Sequence, residues 1–94
     1  MAETRETMIK RLRMRSMRRG IKEMDLILSA YADTHLDDFS DNALALYDRL
    51  LNENDHDLYG WIGGQFAVPE EYLDMITHIA AGAHGVSKPQ TSAD

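Results

Sequence analysis

No cysteine occurs anywhere in the 94 residues. Disulfides, thiolate metal sites and cysteine nucleophiles are thereby removed, and the composition suits a reducing compartment. No apolar run approaches the roughly 20 residues needed to cross a bilayer. The basic N-terminus leads into neither the apolar core nor the cleavage site of a secretory signal. Glu3 and Glu6 stand within it, where transit peptides are poor in acids. An intracellular protein is expected. β-branched residues are scarce and no segment alternates with period two, so no strands are expected.

What is present is enough for one domain and a modest core. The net charge of −6 conceals a sharp division. Residues 1–22 carry eight cations (Arg5, Lys10, Arg11, Arg13, Arg15, Arg18, Arg19, Lys22) against two acids, whereas residues 23–94 carry only Arg49 and Lys88 against fourteen. Such asymmetry either orients a partner during encounter or marks a solvated basic helix lying against an acidic body.

Apolar residues recur at spacings of three and four, the helical period. A first helix is expected from about Thr4 to Arg18, on a thin stripe of Met8, Ile9, Leu12 and Met17. A helix with so little to bury frays unless neighbours or a partner hold it. After Gly20 a second helix runs to about Thr34, with Met24, Ile27, Leu28 and Tyr31 on one face and Leu26 widening it. Ser40 caps a third, which Phe39 can staple to Leu44 and which buries Leu44, Tyr47, Leu50 and Leu51 before ending at Asn52 to Asn54. Asp55 is read as the cap of a short fourth helix that holds Leu58, Tyr59, Trp61 and Ile62 and stops at Gly63-Gly64. Tyr59 and Trp61 are read as core anchors. Pro69 opens a fifth helix, with Tyr72, Leu73, Ile76, Ile79, Ala80 and Ala83 inward. The expected fold is all-α, a compact bundle of about five short helices over residues 1–86, with residues 87–94 a disordered polar tail.

Catalytic constellations are hard to assemble. His35, His56, His78 and His84 are scattered over three segments and match no metal-ligand spacing, and Asp55-His56-Asp57 lacks the glycine and distal glutamate of a calcium loop. Gly60, Gly63 and Gly64 form no phosphate loop. The junction Arg18-Arg19-Gly20-Ile21-Lys22-Glu23 stands out. Gly20 permits a sharp turn and close approach of another backbone, and Arg19 offers a planar fork for carboxylate or phosphate. A second reading is equally physical: Gly20 is an N-cap, Glu23 reaches back to its N–H, and Arg19 stays solvated.

Arg19-Gly20-x-x-Glu23, within RRGIKEMDLIL, resembles the signature of the succinate dehydrogenase flavinylation factors, a family of small helical assembly proteins. LYDRLLNENDHDLYGWIGG is similar to the family's second segment, here through Asp55, Asp57, Leu58, Tyr59 and Trp61. The likeness spans roughly residues 10–82 in one order. It implies an accessory role rather than catalysis. The partner would be the flavoprotein subunit of succinate dehydrogenase or fumarate reductase, in which a histidine becomes covalently linked to FAD. Arg19, Gly20 and Glu23 would face that client, with Arg15 and Arg18 counted among the partner-binding residues. No cofactor or metal of the chain's own is expected, nor a membrane span, and the free protein is expected to be a monomer. The compartment would be the cytoplasm of a bacterium or the mitochondrial matrix of a eukaryote. Arg19 and Glu23 are then expected to matter to the client more than to stability. Two other classes fit a small charged bundle: a nucleic-acid binder tracking phosphates with its N-terminal cations, and a toxin-neutralising protein of antitoxin type.

Overall fold

The computed structural model describes residues 3–87, and every regular element among them is helical. The order is α1 (Arg5–Arg15), α2 (Lys22–His35), a 3-10 turn (Leu36–Asp38), α3 (Asp41–Leu50), α4 (Asp55–Ile62), a second 3-10 turn (Glu70–Tyr72) and α5 (Leu73–Ser87). The tail expected from residue 87 lies, from residue 88 on, outside the described residues.

Local chemistry sets most of these boundaries. Thr4 caps α1 by accepting the Thr7 N–H at 3.1 Å, and Ser40 caps α3 by accepting that of Ala43 at 3.1 Å. Asn54, not Asp55, caps α4, accepting the Asp57 N–H at 2.8 Å. Asp55 is thereby released into the first helical position, with its carboxylate free for other work. Gly64, at φ +78, ends α4 in the left-handed conformation that glycine adopts without a Cβ penalty. Pro69 opens a 3-10 turn rather than the α-helix itself, closed by the Tyr72 N–H on the Pro69 carbonyl at 2.9 Å.

α2 is the central helix. It buries Met24, Ile27, Leu28, Tyr31 and Ala32, packs along α5, and also meets α1 and α4. Leu12, Leu36, Leu44, Tyr47, Leu50, Leu58 and Ile79 are among the residues buried around it. Tyr47 is fully buried, and burial pushes its phenol up to about 12. Its hydroxyl sits 2.6 Å from Ser16 Oγ, which itself donates to the Leu12 carbonyl at 2.8 Å. Because the serine proton is committed to Leu12, the tyrosine proton goes to the serine, and every buried hydroxyl here is satisfied.

Four expected inward residues are turned out. Met17, Leu26, Tyr59 and Leu73 are exposed, so Tyr59 is no core anchor. Trp61 does pack against the core, with its ring 5.8 Å from that of Tyr72. Shared helical face does not ensure cover: a bundle of five short helices has no neighbour to lay over these positions. No helix among the described residues is long and apolar enough to cross a membrane.

Candidate functional site

α1 stops at Arg15, three residues short of the expected end, because Arg18 takes the left-handed conformation at φ +56. For a residue with a Cβ that conformation costs roughly 1–2 kcal/mol. It turns the chain sharply, and Arg19, Gly20 and the N-cap Ile21 lead into α2.

Arg19 is not the solvated fork expected from the sequence. Its side chain is only 11% exposed. Nε donates to Asp55 Oδ1 at 2.9 Å, and the two terminal nitrogens donate to the carbonyls of Arg15 at 2.9 Å and Leu51 at 3.3 Å. Those carbonyls belong to the C-terminal ends of α1 and α3, which carry unpaired acceptors and partial negative charge. Asp55 occupies the first turn of α4, the end that favours an anion. One guanidinium therefore joins three helix ends, the C-termini of α1 and α3 directly and the N-terminus of α4 through the Asp55 carboxylate.

Gly20 lies in the same grip. Its N–H donates to the other oxygen of Asp55 at 2.5 Å, and a Cβ placed on it would stand 3.0 Å from that oxygen. A side chain here would press on the carboxylate that holds the turn. With its N–H held by Asp55, the expected back-bond from Glu23 has no donor to meet, and the N-cap falls at Ile21 rather than Gly20. Glu23 is exposed in the first turn of α2 with no side-chain hydrogen-bond or ion-pair partner among the described residues, as are Arg18 and Lys22 beside it. Arg18 borders a groove of about 110 Å³ with Met14 and Met17, both exposed.

Arg15 also turns inward, donating to Asp48 Oδ1 at 2.7 Å and Asn52 Oδ1 at 2.8 Å. Asp48 receives Arg11 as well, at 2.9 Å, and Arg11 foremost, with Arg15 beside it, holds the Asp48 carboxyl below the usual range. Arg5 pairs with Asp41, and Arg13 with Asp37 at 3.0 Å. Of the eight N-terminal cations, only Lys10, Arg18 and Lys22 have no carboxylate partner among the described residues. The structure thus brings the five expected site residues into one region and divides them: Arg18, Gly20 and Glu23 outward, Arg15 and Arg19 into the fold.

Sequence reasoning missed Asp55 as part of this site, reading it as a capping acid. The signal was its neighbour Asn54, a competent cap that leaves the aspartate spare. Elsewhere His35 and His78, expected to be scattered, come within 4.5 Å of each other beside Tyr31, whose hydroxyl is 2.8 Å from His78 Nδ1. Tyr31 and His35 border a mostly apolar cavity of about 170 Å³ between α2 and α5. Burial raises the Tyr31 phenol, and no group of three metal-ligating side chains forms among the described residues. Facing outward at the turn are the Arg18 cation, the exposed Gly20 and the Glu23 carboxylate.

A family model described as flavinator of succinate dehydrogenase matches residues 10–83. That span contains the whole turn and its Asp55 support. A Meyerozyma guilliermondii protein named succinate dehydrogenase assembly factor 2, mitochondrial, is 47% identical over 75 residues, covering 77% of this chain and 56% of that one. The Schizosaccharomyces pombe protein of the same name is 41% identical over 70 residues, covering 74% and 50%. Drosophila yakuba assembly factor 2-A, mitochondrial, is 43% identical over 92 residues, covering 92% and 57%. The chain spans about half the length of these relatives. A family match running through both halves of the turn, joined to relatives above 40% identity, settles descent: the chain belongs to the family of succinate dehydrogenase flavinators.

Proposed function

We propose that this chain is an assembly factor that binds the flavoprotein subunit of succinate dehydrogenase, or of fumarate reductase, and promotes covalent attachment of its FAD. The observation that carries the reading is the family match over residues 10–83, which encloses a turn whose outward groups are unspent. FAD belongs to the client, and the chemistry is the flavin's own. The factor supplies orientation, which makes an attack between positioned groups effectively unimolecular. The contact face comprises Arg18, Gly20 and Glu23, with Arg15 and Arg19 supporting it from within. The free factor is a monomer and works in whichever compartment holds its client.

The test is co-expression with the native flavoprotein subunit in a host lacking its own factor. Acid-stable flavin fluorescence of the client on a denaturing gel should rise several-fold when the chain is present, with client abundance changing less. Equal flavin occupancy with and without the chain would overturn the proposal.

A further inference from the structure

We infer that Asp55 is the positioning residue of the docking turn: it locks the backbone that holds Arg18 outward for an anionic group on the client. The inference rests on the docking reading above and adds what fixes that surface. A residue with a side chain persists in the left-handed region only where its surroundings over-determine it. Arg18 at φ +56 is bracketed by two anchors. On one side Ser16 is fully buried, with its hydroxyl on the Leu12 carbonyl and the Tyr47 hydroxyl. On the other, the two carboxylate oxygens of Asp55 hold the Arg19 guanidinium and the Gly20 N–H. Only Met17 and Arg18 lie between the anchors, and both are exposed.

Asp55 is suited to this task by what it does not do. Asn54 performs the capping of α4, so neither oxygen of Asp55 is needed there. Its side chain is 17% exposed, which strengthens its bonds to Arg19 and Gly20 relative to a solvated pair. The consequence is a division of labour between adjacent arginines. Arg19 is the strut, neutralised by Asp55. Arg18 is the presented cation, without a carboxylate partner among the described residues and beside the Met14–Met17 groove, where flexible thioethers adapt to an apolar neighbour of that anionic group. Preset geometry of this kind lowers the ordering cost of binding and acts on affinity.

The experiment uses the full chain and its native flavoprotein subunit, with FAD bound but not yet attached, at a temperature well below every variant's Tm. Asp55→Ala and Arg18→Ala should each raise the factor concentration for half-maximal flavinylation tenfold or more, with the rate at saturation kept within twofold. Asp55→Asn keeps an acceptor for the Gly20 N–H while losing the charge on Arg19, and should fall between wild type and Asp55→Ala. Ile79→Val, a distant core change that also lowers Tm, should leave half-saturation within twofold of wild type. In free Asp55→Ala the Gly20 amide should lose at least tenfold in protection from hydrogen exchange. Asp55→Ala behaving like Ile79→Val in the titration would overturn the positioning role. If wild type itself gives no flavinylation, the docking reading falls, and the Gly20 exchange rate still decides this one: protection unchanged by Asp55→Ala overturns it.

Discussion

Arg19 and Glu23 share a motif but not an environment. Arg19 makes three hydrogen bonds from a mostly buried position, whereas Glu23 is exposed with no side-chain partner among the described residues. The sequence alone led to the expectation that either could be truncated almost without thermal cost. The geometry separates them. Arg19→Ala leaves Asp55 with a poorly solvated charge and two helix-end carbonyls without donors, which costs about 2–3 kcal/mol. For a domain of this size that lowers Tm by roughly 10–20 °C. Glu23→Ala should stay within about 0.5 kcal/mol, the usual range for an exposed site. Thermal unfolding followed by circular dichroism checks both. If the two variants melt together, Arg19 is not the strut described here.

At the level of the helix, α1 supplements a thin apolar stripe with ion pairs to α3. It buries Ile9 and Leu12, and Asp48 of α3 receives both Arg11 and Arg15. The folded pKa of Asp48 is depressed, chiefly by Arg11, below the roughly 3.9 of an unfolded aspartate. A depressed carboxyl stabilises fully above its unfolded pKa and loses that contribution as pH falls through the folded value. Tm should therefore fall between pH 5 and pH 3, and Asp48→Asn, already weaker at pH 7, should fall less over the same window. Melts across that range decide it, and identical slopes would remove Asp48 from the account. Much of this layer was legible beforehand. The Ser40 cap, the Gly63-Gly64 stop and the inner face of Met24, Ile27, Leu28 and Tyr31 all follow from local chemistry. The end of α1 was not, because the left-handed Arg18 is imposed by partners far away in sequence. Nor was the release of Asp55, since Asn54 and Asp55 are both good caps and only tertiary structure chooses between them. Arg19, Gly20 and Glu23 stood out as a motif, with Arg15 and Arg18 as candidates beside it. Which of them faces out was not legible, because burial of an arginine depends on acids contributed by other helices.

Over the whole molecule, the division between a basic N-terminal segment and an acidic remainder resolves into internal neutralisation. Among the described residues, five of the eight N-terminal cations are bound to carboxylates of the same chain, and the net charge is −6. A surface that tracks phosphates needs those cations free. Duplex DNA should therefore show no mobility shift with micromolar protein at physiological salt. A shift that weakens steeply with added salt would instead revive the nucleic-acid reading. The tie between the turn and α4 has a temporal consequence as well. Arg19 and Asp55 lie 36 positions apart, so their bond can close only after α1, α3 and α4 have assembled. A nascent, truncated or partly melted copy carries the same motif letters but cannot display them in register. If the proposed client reads this turn, it would admit only finished copies, and the handshake would double as an inspection of the factor itself.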